Sequence, residues 1–260
     1  MEGSKELQTA INAAKEAGKI LKDYFIKKNF RETIKSGVDI VTEADKESEE
    51  KIISIIKKEF PEHQIMAEES GFSESESDYR WIIDPLDGTI VFSRGFPEFS
   101  ISIGLQKCNE IILGVIYNPI TDETYYAEKG KGAYLNGKKI SVSKRNKLIE
   151  SVIGTGFGYE RGEEADIHLK VFNEFVKNST YILIMGSTAL DMAHVALGKA
   201  DGCWETVVKP WDIAAGKIIV EEAGGKVTNK NNDFDVMNPI CIATNGLIHN
   251  EIQKIIKKYL

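Results

Sequence analysis

The stretch Trp81-Ile82-Ile83-Asp84-Pro85-Leu86-Asp87-Gly88-Thr89 constrains this chain more than any other. An apolar run ends in an acid. Proline then forces a turn, and a second acid follows three residues after the first. Gly88-Thr89 opens what reads as a helix. Two carboxylates at the mouth of a buried strand, beside backbone N–H groups that can hold an anion, are a way to set divalent cations against a phosphate.

The surrounding pattern is α/β. Leu7, Ile11, Ala14, Gly18, Leu21 and Phe25 recur at three and four, which predicts a helix from about residue 5 to 28. A loop around Lys35-Ser36-Gly37-Val38 leads to a second helix from Thr42 to Phe60, stopped by Pro61. Ile65-Met66-Ala67 reads as a short strand and residues 80–83 as the strand that delivers the opening motif. Residues 74–78 read as an acidic loop. From Phe99 the texture becomes β, with Asn118-Pro119 as a turn and Asn136-Gly137 as a hairpin signal. Helices and strands then alternate to the end of the chain. A soft boundary near residue 145 divides an N-terminal α+β region (1–145) from a C-terminal α/β region (146–260) within one unit.

Four more acids are placed at element ends: Asp45, Glu68, Glu205 and Asp212. An acid at a helix start is ordinarily a cap, and Asp212 is a natural one. Several such acids at strand C-termini and helix N-termini argue further, because open α/β sheets bind ligands there. Hard oxygen donors favour Mg²⁺ or Mn²⁺. The four histidines lack metal spacing, no Gly-Lys-Ser/Thr phosphate loop occurs, and no Gly-x-Ser-x-Gly elbow or Cys/His pair suggests a covalent nucleophile. Activated water is the expected nucleophile. The 260 residues carry a net charge of −7, which argues against a general nucleic-acid binder. Three widely spaced cysteines read as reduced thiols. No apolar run is long enough for a signal sequence or membrane span, so a cytoplasmic protein is expected.

These residues resemble the signatures of the inositol monophosphatase family of Mg²⁺-dependent, lithium-sensitive phosphatases. Asp84-Pro85-Leu86-Asp87-Gly88-Thr89 with Phe92 is similar to its first signature, and Trp211-Asp212-Ile213-Ala214-Ala215-Gly216 with Gly224-Gly225 to its second. Asp39-Ile40-Val41-Thr42-Glu43-Ala44-Asp45 and Ala67-Glu68-Glu69-Ser70 are lesser matches, all in family order. The resemblance implies a sandwich of alternating helical and sheet layers (α-β-α-β-α), usually as a homodimer. It implies that Glu68, Asp84 and the Leu86 carbonyl hold one Mg²⁺, that Asp84, Asp87 and Asp212 hold another, and that a third, weaker ion sits near Glu68. Asp45 and Thr89 would activate the attacking water, with Glu68 alongside. Gly88 and Thr89 N–H groups would hold phosphate. Asp87, Gly186, Ser187, Thr188, Glu205 and Asp212 would border the substrate, and Lys35 would lie on a loop folded over the site. Ile90-Val91, where many members are polar before the aromatic, make lithium sensitivity less certain.

The expected reaction is hydrolysis of a phosphate monoester on a small polyol, with myo-inositol 1-phosphate favoured. Fructose-1,6-bisphosphatase, histidinol-phosphate phosphatase and 3′-phosphoadenosine 5′-phosphate phosphatase activities share the same metals. A bisphosphate would want extra cations, for which Lys209 and Arg94 are candidates. A catalytically silent binding protein on the same scaffold is the alternative of a different class.

Overall fold

The computed structural model describes residues 3–36, 39–73, 75–158 and 162–260, the side chains of 35, 36, 39, 163 and 164 excepted. Along the chain run α1 (Lys5–Lys27), β1 (Glu32–Ser36), β2 (Asp39–Thr42), α2 (Glu43–Glu59), β3 (Gln64–Ala67), β4 (Gly71–Ser73), β5 (Tyr79–Asp87) and α3 (Thr89–Ser93). A meander follows: β6 (Ser100–Lys107), β7 (Glu110–Asn118), β8 (Glu123–Glu128), β9 (Gly132–Leu135) and β10 (Lys138–Lys139). The rest is β11 (Val152–Thr155), α4 (Glu163–Asn178), β12 (Tyr181–Leu183), α5 (Thr188–Ala196), β13 (Gly202–Glu205), α6 (Pro210–Glu222), β14 (Lys226–Thr228), β15 (Cys241–Thr244) and α7 (His249–Lys257).

These elements stack in five layers. Helices α1 and α2 pack together on one face of an eight-stranded sheet of order β10-β9-β8-β7-β6-β5-β3-β4, in which only β3 and β5 run parallel. Helices α5 and α6 cover its other face and also touch the second sheet, of order β12-β11-β13-β15-β14. Helices α4 and α7 close the far side. The α-β-α-β-α sandwich expected from the sequence is the observed architecture. Strand alternation assigns side chains to layers. On β5, Trp81 and Ile83 enter the core under α1 and α2, whereas Ile82 enters the core around α5 and α6.

One local expectation needs correction. In the segment around Lys35, expected as a loop, β1 pairs antiparallel with β2. Residues 37 and 38 and the Lys35 side chain lie outside the described residues. Residues 75–78 of the acidic stretch form a loop, as expected, after the short strand β4, and Glu74 lies outside the described residues.

Close approach of α6 to the eight-stranded sheet depends on two glycines. Gly104 on β6 and Gly114 on β7 are directly paired. A Cβ on Gly104 would come within 2.8 Å of the Ala214 Cβ, and one on Gly114 would overlap the Ala215 carbonyl. The helix therefore rests on bare backbone, and its first turn carries Asp212. Gly114→Ala is expected to destabilise by about 1–3 kcal/mol, as overpacked cores do, and to lower Tm by roughly 3–10 °C. An unchanged thermal unfolding curve would contradict this packing.

Candidate active site

The opening motif does not end its strand at Asp84. Strand β5 continues to Asp87, but its pairing with β6 slips: Asp84 faces Ser102 and Asp87 faces Ser100, so three steps on one strand match two on the other. Pro85 has no N–H to give the ladder, and the chain bulges there. The bulge resets the alternation. In a regular strand, residues three apart point to opposite faces. Here Leu86 packs with Trp81 and Ile83 under α1 and α2, while Asp84 and Asp87 both line a pocket on the opposite side. The Leu86 N–H donates to Asp84 Oδ1 at 2.9 Å and fixes the bend.

Gly88 follows with φ +96°, and a Cβ there would meet the Gly186 and Glu98 carbonyls at 3.1 Å. Only glycine suits both the conformation and the space. Thr89 then starts the one-turn helix α3, with its hydroxyl 3.1 Å from both Asp45 Oδ1 and the Leu86 carbonyl. Asp45 is fully buried in the first turn of α2. Its other oxygen accepts the Thr42 N–H at 2.8 Å as half of a capping box. Burial raises the Asp45 carboxyl to about 6, against the lowering effect of its hydrogen bonds from Thr42 and Thr89.

Asp87 reaches across to the start of α5. Its Oδ2 accepts from the Ser187 hydroxyl and from the Ala189 N–H at 2.8 Å. Burial raises Asp87 to about 6 even with those donors. Ser187 is itself the N-cap of α5, accepting from Leu190 N at 3.2 Å. Asp212 occupies the first turn of α6 and accepts the Lys209 N–H at 2.8 Å, so the capping role expected of it is real. Ser102, opposite Asp84, donates to the Trp211 carbonyl at 3.0 Å and ties that turn to the sheet. Burial, reinforced by neighbouring carboxylates, holds Asp84 and Asp212 well above the usual range; for Asp84 these neighbours are Glu68, Asp87 and Asp212.

A pocket of about 500 Å³ gathers these groups. It is lined by Glu68, Asp84, Leu86, Asp87, Gly88, Thr89, Gly186, Ser187, Thr188, Glu205 and Asp212. Every site residue named from the sequence is there except Asp45, which stands behind Thr89. Among the described residues, six carboxylates meet one cation, Lys209, on this wall; Arg94 is instead largely exposed, 4.0 Å from Glu32. The sixth acid, Asp191 on α5, was not foreseen. It lies in the first turn of α5, where an acid within an apolar stretch reads as an ordinary helix-start charge, and it is 3% exposed. Burial first, then the charge of Asp87, holds it well above the usual range. Glu205 is raised by burial and by Asp191, and its Oε1 has no hydrogen-bond partner. Glycines make room for this pair: a Cβ on Gly154 would press on the Asp191 carboxyl at 3.2 Å, and one on Gly156 on Glu205 Oε1 at 3.1 Å. Val91 also lines the pocket, packed against Gly88 and Gly186, so the apolar Ile90-Val91 step reaches the site.

Glu68, Asp84, Asp87, Asp212 and the Leu86 carbonyl could hold a divalent ion. Among the described residues no three His, Cys, Asp or Glu side chains converge closely enough to close around one as they stand. The donor chemistry nonetheless fits: the set is all oxygen, and Glu68, Asp87 and Asp212 raise Asp84 in a wall where, among the described residues, Lys209 is the one lysine. A second, more open groove of about 510 Å³ lies between α4 and α7. Two of its charges pair locally, Lys258 with Glu174 at 2.9 Å and Lys147 with Glu150 at 2.8 Å. Among the described residues no helix is long and apolar enough to cross a membrane.

Comparison with known proteins agrees with this geometry. The model of the inositol monophosphatase family matches residues 3–260. An inositol-1-monophosphatase from Mesorhizobium japonicum is 39% identical over 258 residues, covering 98% of this chain and 97% of the relative. A fructose-1,6-bisphosphatase/inositol-1-monophosphatase from Aquifex aeolicus is 40% identical over 259 residues, with 98% and 97% covered. The crystal structure of the extragenic suppressor protein suhB from Bartonella henselae superposes with a TM-score of 0.93 at 36% identity, covering 99% of this chain and all of that one. The chain belongs to the inositol monophosphatase family and is a phosphoric monoester hydrolase.

Proposed function

We propose that this phosphatase hydrolyses the phosphate monoester of a small polyol in a Mg²⁺-dependent reaction, with myo-inositol 1-phosphate as the favoured substrate. The observation that carries this reading is the Thr89–Asp45 contact, 3.1 Å long, behind a pocket wall that also presents Asp84, Asp87 and Asp212.

Glu68, Asp84, Asp87, Asp212 and the Leu86 carbonyl would hold the metal. When bound, Mg²⁺ would neutralise phosphate charge, lower the pKa of a bound water and steady the leaving alkoxide. The chain's own groups then divide the work. Thr89 has one proton to give, and donation to Asp45 Oδ1 leaves its oxygen lone pairs able to accept from a water in the pocket. Asp45 takes up the proton passed through Thr89 Oγ1. The Gly88 and Thr89 N–H groups, at the start of α3, are placed to bind phosphate oxygens. Asp87, held by the first turn of α5, cannot swing away as charge passes.

The leaving alcohol meets a different wall. Glu205, with an unpartnered oxygen, and Asp191 beside it suit hydroxyl groups and repel a second phosphate. Among the described residues, Lys209 is the one lining group that favours a bisphosphate, and the Aquifex aeolicus relative carries that activity in its name. A panel of inositol 1-phosphate, fructose 1,6-bisphosphate, histidinol phosphate, 3′-phosphoadenosine 5′-phosphate and p-nitrophenyl phosphate at fixed Mg²⁺ separates the readings. Glu205→Gln is expected to lower kcat/KM on inositol phosphate about tenfold, the worth of one hydrogen bond to a charged group, and to spare the aryl phosphate. Equal losses on both would remove Glu205 from substrate recognition.

Metal removal and pH provide two further tests. If the acids share Mg²⁺, saturating metal should raise Tm above its value in EDTA by roughly 5–10 °C, since a ligand at a hundred times Kd adds about 2.7 kcal/mol. Identical melting curves would sink the metal assignment. Asp45 accepts a proton only when ionised, and its carboxyl lies at about 6. The base is therefore present above pH 6 and lost below it. At saturating Mg²⁺, kcat should fall as pH drops through about 6, and Asp45→Asn should cost at least about 100-fold in kcat, as loss of a general base does. A flat profile with near-normal turnover in Asp45→Asn would exclude this role.

A further inference from the structure

Helix α2 carries three buried polar side chains on one face, at i, i+3 and i+4: Asp45, Ser48 and Glu49. Each grips a different segment of the site. Asp45 holds Thr89 at the start of α3. Ser48 donates to the Pro85 carbonyl at 2.8 Å, at the bulge between Asp84 and Asp87. Glu49, 3% exposed, accepts two backbone donors at once: Glu69 N–H on Oε2 and Ser70 N–H on Oε1, both at 2.8 Å.

The Glu49 grip falls on the hairpin loop that presents Glu68. Strands β3 and β4 pair with Ala67 opposite Gly71, which leaves Glu68, Glu69 and Ser70 as a three-residue loop closed by Gly71 at φ +78°. The Glu68 N–H donates to the Ile83 carbonyl on β5 at 3.2 Å, so the first loop residue is tied to the sheet. The next two N–H groups have no strand partner and are taken by Glu49. A bidentate carboxylate on two successive N–H groups fixes both the position and the orientation of the loop. It acts through a helix already anchored at Asp45 and Ser48, so Glu68 is held in the same frame as Asp84, Asp87 and Thr89.

We propose that Glu49 is a positioning residue that sets divalent-metal affinity by orienting Glu68. This rests on the reading of Glu68 as a metal ligand given above. Glutamine at 49 would keep the size but turn one N–H acceptor into a donor, leaving a buried backbone donor opposed by another. Supporting groups behind metal ligands typically alter metal affinity by about 10–100-fold.

The test compares wild type, Glu49→Gln and Glu68→Gln. Mg²⁺ binding is measured by calorimetry without substrate, and the Mg²⁺ dependence of p-nitrophenyl phosphate hydrolysis is measured beside it. Glu49→Gln is expected to weaken Mg²⁺ binding by about tenfold or more and to raise half-saturating Mg²⁺ equally, while kcat at saturating Mg²⁺ returns to within about threefold of wild type. A merely structural role would lower Tm in EDTA and leave the metal dependence where it was. Glu49→Asp, whose shorter carboxylate cannot span both N–H groups, carries the same comparison should the glutamine variant not fold. The proposal is overturned if a folded Glu49 variant binds Mg²⁺ within about twofold of wild type while Glu68→Gln binds it weakly. If Glu68→Gln also binds normally, the metal role of Glu68 falls, and the proposal with it.

Discussion

A proline that cannot donate a hydrogen bond sits inside β5, whose residues 81–87 are all buried, and the site follows from it. Without Pro85, β5 would pair evenly with β6, and Asp84 and Asp87 would point to opposite faces of the sheet. One would enter the apolar layer under α1 and α2, where an ionised carboxylate has no partner and would cost several kcal/mol. The slip between Asp84 and Asp87 puts both acids on the side where α5 and α6 begin, and sends Leu86 to the apolar side instead.

Concentrating acids in one wall is unfavourable unless donors are built in to meet them. The donors here are mostly backbone N–H groups, many at helix starts. Asp45 takes Thr42 N–H at the start of α2, Asp87 takes Ala189 N–H at the start of α5, and Asp212 takes Lys209 N–H at the start of α6. The positive ends of three helices thus lie beside the acids. Capping and site-building are the same act: one oxygen of Asp45 caps a helix while the other holds Thr89. Burial still dominates, which is why Asp45 and Asp87 rest near 6 and why Asp84, Asp191, Glu205 and Asp212 are held well above the usual range.

This double use explains what the sequence could and could not reveal. Acids at strand ends and helix starts stand out against their neighbours, so Asp45, Glu68, Asp84, Asp87, Glu205 and Asp212 were legible, as was the layered α/β order. Asp191 and Glu49 were not. Asp191 lies in the first turn of α5, where an acid reads as an ordinary helix-start charge, and Glu49 lies in a run of charges; local pattern gives no sign that either turns inward. Their importance comes from contacts over long sequence separations: Glu49 with Glu69 and Ser70, and Asp191 with the space left by Gly154. The pairing of β1 with β2 was missed for a related reason. Its strands are five and four residues long, too short for a clear alternation to stand out.

On the proposed reading, the two halves of the reaction would be served by different layers. The acids and hydroxyl that would face the phosphate come from the eight-stranded sheet, the short helix after it and the helix starts packed against it. The wall that would face the alcohol comes from β13 through Glu205 and from α5 through Asp191. On that reading, a change at Glu205 or Asp191 would alter which hydroxyls or charges are welcome, while the bulge, the α2 grip and the Asp45–Thr89 contact rest on other residues. Such a division would let one scaffold keep its phosphate chemistry while the leaving group varies.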